Sequence, residues 1–381
     1  MMLSMSGMYT MYIIQAGFSK AEISITVSIF TFSSLIGQYI IGYITDRFKC
    51  VKKILFISIF ISLIGTTALI FLKEGWTINI LVLLWGFFAY GTVPISEAWY
   101  IDVLKANGDQ KIFGRIRGFG SIGFGISGML LGFLLQSFGW SIYKWYIITS
   151  VFLVLLLILT MEDNKELKLY KGIGGGKGDE ANISLKEAFR EIIKNKPLKS
   201  IIIVLFTFTF VVKGIYSYLG VIVSDSGGGS LSYGLTLFFD ASPEIITFFL
   251  ASKLLARYRN KGLIFAAFIL QIIRLSLILV FNSPTAIMLL GILSGFSFGL
   301  LASSYKTYIY DLAPEKYKIS CLGLSESIIG FSAVLSVPIF GFIVMKFGGY
   351  ASIAVGLAIN IIAAFILARS LRTKEHFTCR N

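Results

Sequence analysis

Apolar residues run along this chain in long uninterrupted blocks, not in the one-sided or alternating patterns of a soluble fold. "ILFISIFISLIGTTALIFL", from Ile54 to Leu72, and "IITSVFLVLLLILT", from Ile147 to Thr160, carry no charge at all. A helix of ~20 apolar residues crosses a ~30 Å hydrocarbon layer, and these blocks approach that length. The pattern predicts about twelve helices, beginning near residues 1, 22, 54, 77, 112, 141, 200, 231, 263, 286, 319 and 350. The first is short. From Met1 to Ala16 the chain offers only ~24 Å of helix at ~1.5 Å per residue, so this span is expected to be truncated.

One stretch interrupts the rhythm. "MEDNKELKLYKGIGGGKGDEANISLKEAFREIIKNKPLKS" is charged and glycine-rich, and it divides the spans into two sets. Its "GIGGGKG" lacks the spacing and the Ser or Thr of a phosphate loop and reads as flexible linker. "SLKEAFREIIKN", Ser184 to Asn195, reads as an amphipathic helix on the membrane surface, opened by Ser184 and Glu187 as a capping box. The expected organisation is therefore an N-terminal bundle over residues 1–160, a linker over 161–199, a C-terminal bundle over 200–370 and a tail over 371–381. "IGF" at 122–124 recurs at 329–331, and "GFL" at 132–134 answers "GFI" at 341–343, in keeping with two repeated six-helix units.

Composition agrees with this class: of 381 residues 56% are hydrophobic and only 14% charged, too apolar for a soluble fold. The net charge of +14 would suggest a nucleic-acid partner if it formed one surface. It does not. The bases fall in alternate loops, such as "DRFKCVKK" and "RYRNK", while "SDSGGGS" and "NSPT" between them carry none. This positive-inside pattern places both termini in the cytoplasm of a multi-pass protein in the cell membrane, and nucleic acid is set aside. Cysteines 50, 321 and 379 show no paired spacing, and the only histidine, His376, lies in the tail. No metal, cofactor or nucleophile constellation is visible, so neither an enzyme nor a cofactor is expected. A channel would need oligomeric symmetry or a filter loop, whereas a monomer of this chain brings a full set of spans.

The informative residues are ionisable groups inside the spans. Each costs ~2.5–3.5 kcal/mol at a helix centre, so they must be paired or hydrated. Antiparallel neighbours equidistant from their connecting loop lie at equal depth, which matches Glu97 with Arg117, Lys213 with Asp240, Glu244 with Arg274 and Lys306 with Glu326. Each match balances charge. Asp240 and Glu244 also stand one helical turn apart. Gly91 and Pro94 ahead of Glu97 should loosen that helix, which is tolerated where protein or a wet cavity satisfies the freed carbonyls.

Two stretches resemble a known family. "GYITDRFKCVKKIL", with Gly42, Asp46, Arg47, Lys52 and Lys53, resembles the signature loop of the major facilitator superfamily, in which the glycine permits close helix packing. "PISEAW" followed by "FGRIRGFGSIGF" resembles the fourth and fifth spans of the proton-coupled oligosaccharide permeases and of phenylpropionate permease-like carriers. The resemblance implies a major facilitator fold, an all-α protein of two pseudo-symmetric six-helix bundles, and proton-coupled uptake of a sugar-like or small organic solute. It implies that Glu97 and Arg117 contact solute, with Phe124 and Trp99 as candidate aromatic surfaces. Asp240, Glu244, Lys213, Arg274, Lys306 and Glu326 would form the proton-coupling network, and the signature loop would gate the conformational change. Phe124 stands where sugar permeases carry a tryptophan, and Lys213 where an acid is expected, which points away from galactosides. Nucleosides, aromatic acids and drugs remain alternative solutes, and export or uniport alternative modes.

Overall fold

The computed structural model describes residues 2–48, 50–71, 75–106, 113–160, 185–314 and 317–372, and every regular element among them is a helix. The chain runs α1 (Met2–Gln15), α2 (Lys20–Phe48), α3 (Val51–Phe71), α4 (Gly75–Ala89), α5 (Val93–Ala106), α6 (Phe113–Phe138) and α7 (Ser141–Thr160). It continues through α8 (Leu185–Lys194), α9 (Lys196–Ser217), α10 (Leu219–Asp225), α11 (Ser230–Phe281), α12 (Pro284–Leu312), α13 (Lys318–Phe347) and α14 (Gly349–Arg372). Eleven segments among the described residues are long and apolar enough to cross a membrane. The short α1, of 14 residues, falls below that length, as its sequence predicts.

Local chemistry explains the breaks between spans. α11 holds two spans separated at Arg259, whose φ of 55° interrupts the helix inside the basic "RYRNK" loop. Its end is set by Asn282 in the left-handed region at φ 41°, a conformation asparagine tolerates. Ser283 then caps α12 by accepting from the Ala286 amide at 3.2 Å, and Pro284 follows at the first position of the helix. Asn195 does the same for α9, accepting from Leu198 N at 3.1 Å while its Nδ2 donates to the Leu312 carbonyl at 2.9 Å. That second bond ties the foot of the C-terminal half to the end of α12. The predicted surface helix is present as α8, with Ile192 buried and Phe189 and Ile193 exposed. Ser184 and the "GIGGGKG" tract lie outside the described residues.

Each half packs within itself, α2 on α4 and α3 on α7 in the first, α9 on α13 and α14 and the two arms of α11 with α12 in the second. The halves meet along α6 against the first arm of α11, α2 against α13, and α1 against α10. Small residues make these approaches close. A Cβ on Gly132 would lie 2.7 Å from the Ser230 carbonyl, and one on Gly128 3.0 Å from Leu237, so α6 seats glycine directly on α11. Inside the first half Gly37 meets the Phe87 carbonyl and Gly91 sits 2.8 Å from Gly37, locking α2 to the fourth span.

The glycine of the signature loop behaves differently. Close packing was expected at Gly42, yet a Cβ there would meet nothing within 4 Å. The reason is positional: α2 is held at Gly37 and Ser33, and the turn bearing Gly42 stands beyond that contact, with Tyr39 and Tyr43 exposed beside it.

Candidate functional site

The fourth span breaks where glycine and proline predict. α4 stops at Ala89, a short 3-10 turn covers Tyr90–Thr92, and α5 resumes at Val93. Thr92 Oγ1 donates to the Ala89 carbonyl at 2.7 Å and Ser96 Oγ to the Thr92 carbonyl at 2.9 Å, so hydroxyls satisfy what the break releases. The turn presents Tyr90. Its ring lies 4.8 Å from Phe30 and 6.1 Å from Trp85, and Trp85 in turn meets Tyr9 at 5.9 Å. A second aromatic group, Tyr12 with Tyr143 at 4.9 Å and with Trp140 at 6.1 Å, adjoins it through α1.

Facing this wall are the charges of the second half. Asp240 and Arg274 are both buried, at 8% and 3% exposure, and their charges act on one another. Depth counting placed Arg274 level with Glu244. It is also within electrostatic reach of Asp240, one turn along the same helix. Ser294 hydrogen-bonds the Asp240 carboxylate from α12. The backbone permits this close approach because Gly291 and Gly295 leave α12 lying against residues 239 and 240. Asp240 Oδ1, Arg274 Nε and the neighbouring Gln271 Nε2 make no hydrogen bond among the described residues. Two donors and one acceptor therefore keep their bonding capacity in a buried place, where leaving it unused is costly.

Glu244 reaches across to the other half. Ser121 Oγ on α6 donates to its Oε2 at 2.7 Å, joining residues 123 apart in sequence. Tyr216 stands within electrostatic reach of Asp240, Glu244, Tyr233 and Tyr90, and Tyr233 within reach of Asp240 and Tyr90. One region between the halves thus gathers two carboxylates, a guanidinium and phenols from both bundles.

The other predicted residues are placed as follows. Lys306 Nζ and Glu326 Oε2 meet at 3.6 Å, and the Tyr305 hydroxyl donates to the same oxygen at 3.3 Å. This pair is partly exposed, with side-chain exposures of 58% and 37%. Glu97 is half-buried and Lys213 exposed, and both take part in side-chain interactions. The side chains of Arg117 and Asp46 lie outside the described residues. Phe124 and Trp99 are half-buried against an apolar cluster that draws on both halves. In the signature loop, Lys52 Nζ donates to the Leu159 carbonyl at 3.2 Å, fastening α3 to the end of α7, while Arg47 lies 5.9 Å from the Phe48 ring and Lys53 is exposed.

The residues that sequence reading did not single out are Tyr90, Tyr216, Tyr233, Ser121 and Gln271. Tyr90 had an available signal, since it directly precedes Gly91 at the predicted break. The others had none: a tyrosine or serine in a span is ordinary, and their convergence depends on which helices of opposite halves face each other.

A protein-family model described as "MFS_1 like family" matches residues 4–331. Among solved structures the nucleoside transporter NupG superposes with a TM-score of 0.74 at 17% identity, covering 97% of this chain and 94% of that one. A point mutant of NupG superposes with a TM-score of 0.77 at the same identity and coverage. No curated protein sequence matches the chain. At that identity the superpositions report shared architecture, and the family match runs through both bundles. Two joined sets of spans, a glycine-lined seam between them and a match over most of the sequence place this chain in the MFS_1-like family of major facilitator transporters.

Proposed function

We propose that the chain is a proton-coupled secondary carrier that takes up a small, hydroxyl-bearing organic solute by rocking its halves about the seam between α6 and α11. The observation that carries this reading is the bond from Ser121 to Glu244. A carboxyl group in one half accepts a hydroxyl from the other, so its protonation state bears directly on how the halves hold together. Charge-assisted hydrogen bonds are stronger than neutral ones, and protonating Glu244 weakens this link. Asp240, buried against Arg274, gives a second carboxylate whose partner changes value when it takes a proton. Arg274 also argues for protons over metal cations, because a fixed guanidinium repels a cation from the same carboxylate.

Glu97 and Arg117 are assigned to orient solute hydroxyls or a carboxylate, and the positive-inside pattern puts the basic loops and both termini in the cytoplasm of a monomer in the cell membrane. Lys306 and Glu326 belong to the same charge network nearer the cytoplasmic side. Galactosides fit poorly, since Phe124 offers no indole for stacking. A nucleoside is the favoured second reading of the solute. The grouped rings of Tyr90, Phe30 and Trp85 supply aromatic faces beside the carboxylates, which suits a planar base joined to a hydroxylated sugar.

Uptake of labelled sugars, nucleosides and aromatic acids into proteoliposomes, with and without an imposed pH gradient, tests the assignment. Saturable uptake of one class that accumulates only with the gradient supports it. Gradient-independent equilibration would remove the proton coupling and leave a uniporter.

A further inference from the structure

The face of the bundle opposite the basic loops holds polar contacts between halves that the site does not use. Lys20 opens α2 in the first half, and Asp225 ends α10 in the second. Lys20 Nζ lies 3.1 Å from Asp225 Oδ1 and 3.0 Å from Oδ2, a bidentate ion pair spanning 205 residues. Asp225 Oδ2 also accepts from the Gly349 amide, the first residue of α14, at 3.3 Å. The carboxylate is thus anchored to its own half whether or not Lys20 is present. Lys20 is held in position too, because Ser19 and Glu22 bond each other at the start of α2.

One turn deeper a second contact crosses the seam. The Tyr218 hydroxyl donates to the Val337 carbonyl at 3.0 Å, which leaves its oxygen to accept from Ser24 Oγ at 3.3 Å. Gly341 makes room for this meeting: a Cβ there would overlap both Ser24 and Tyr218. Gly220 likewise lets α10 reach Met11 of α1, with 3.0 Å to a built Cβ. Towards the basic end of α2 no equivalent is found among the described residues, where a Cβ on Gly42 would meet nothing within 4 Å and Tyr39 is 79% exposed.

We infer that Lys20 and Asp225, backed by the contact of Ser24 with Tyr218 across Gly341, form the outer latch of this carrier. The sealed outer face is the cytoplasm-facing state, and separating Lys20 from Asp225 is a required step in opening to the outside. The inference rests on the alternating-access reading and adds its outer gate. The latch comes apart on one side only. Asp225 keeps the Gly349 amide, so Lys20 leaves with α2 and water takes its place.

The test uses the full chain with Cys50, Cys321 and Cys379 replaced by serine and a single reporter, Thr31→Cys. Thr31 lies eleven residues below Lys20 on α2, ~16 Å deeper at ~1.5 Å per residue. A membrane-impermeant maleimide is added outside intact cells, and the rate of labelling is read. Lys20→Ala and Asp225→Ala are each expected to raise the rate about two- to fivefold, the size set by losing one partly exposed ion pair. The exchanged pair Lys20→Asp with Asp225→Lys is expected to return it towards the parent. Raising salt should speed labelling of the parent and leave Lys20→Ala unchanged, because screening acts only where the pair exists. Equal rates in the parent and both single variants would overturn the latch. Uptake measured on the same proteins separates the two ideas: absent uptake with responsive labelling sinks the carrier reading alone, and intact uptake with unresponsive labelling sinks the latch alone.

Discussion

Glu244 is the residue on which the proposed coupling turns, since its carboxylate is bonded to the opposite half within the spans. Replacing it with glutamine keeps size and hydrogen bonding but removes the titration. Glu244→Gln is expected to abolish gradient-driven accumulation while leaving solute exchange across the membrane, because exchange needs no net proton movement. Ser121→Ala deletes the partner and keeps the proton site. The lost bond to a charged group is worth ~1.5–3 kcal/mol, so the balance of facing states should move by about ten- to a hundredfold, read as altered labelling of a cysteine on the seam. Arg274 carries a different prediction. Arg274→Gln strands a buried carboxylate at a cost of ~3–5 kcal/mol, and the purified protein should melt measurably lower. Adding Asp240→Asn should recover much of that loss, because the pair is then neutral on both sides.

How much of this was legible from residues alone follows from what each kind of contact writes into sequence. Lys306 and Glu326 are equidistant from one short loop, and they do meet at 3.6 Å. Depth counting matched Arg274 with Glu244, and the structure also brings it within electrostatic reach of Asp240, one turn along the same helix. A loop count gives height but not direction around a helix, so it could not show that α12 packs against residues 239 and 240. Ser121 left no trace, since its partner is brought near by a seam between halves, and nothing in the sequence shows that the helix bearing Gly118 and Gly125 faces the helix bearing Glu244.

At the scale of elements, glycine decides where helices touch. Gly37 and Gly42 lie on the same helix, yet only Gly37 is pressed against a neighbour, the Phe87 backbone. Their alanine variants should therefore move stability in opposite directions. Gly37→Ala inserts a methyl into a closed contact and should cost ~1–3 kcal/mol. Gly42→Ala meets open space and should gain up to ~1 kcal/mol from reduced unfolded-state freedom and better helix propensity. Melting temperatures of the two purified variants against the parent check this directly. Close packing was expected at Gly42 from the resemblance of its loop to the superfamily signature, and Gly37 carried no such signal. The fourth span shows the reverse case. Gly91 and Pro94 announced a break, and Tyr90–Thr92 form it, because a helix loosened at these residues has serine and threonine hydroxyls nearby to occupy the freed carbonyls.

For the whole molecule, the two bundles are joined by three seams of unequal character. α6 against α11 is packed on glycine along much of its length and contains the carboxylate link, which is why the proposed rocking is assigned its pivot there. α2 against α13 and α1 against α10 are tight near Lys20 and Asp225, where the latch lies. On the proposed reading, a pivot that contains a proton-sensitive bond would couple rocking to protonation without any separate transmission element. Spans and bundles could be read from the apolar blocks and the charged linker alone. The pivot could not, since it depends on helices from different halves meeting face to face.

The most direct measurement is solute uptake into proteoliposomes at zero and at inward-acid pH difference, for the parent and Glu244→Gln side by side. The account predicts that the parent concentrates its solute only with the pH difference, while Glu244→Gln merely equilibrates it under both conditions. Equal accumulation by the two proteins under the same gradient would contradict the claim that this carboxylate couples proton movement to the rocking of the halves.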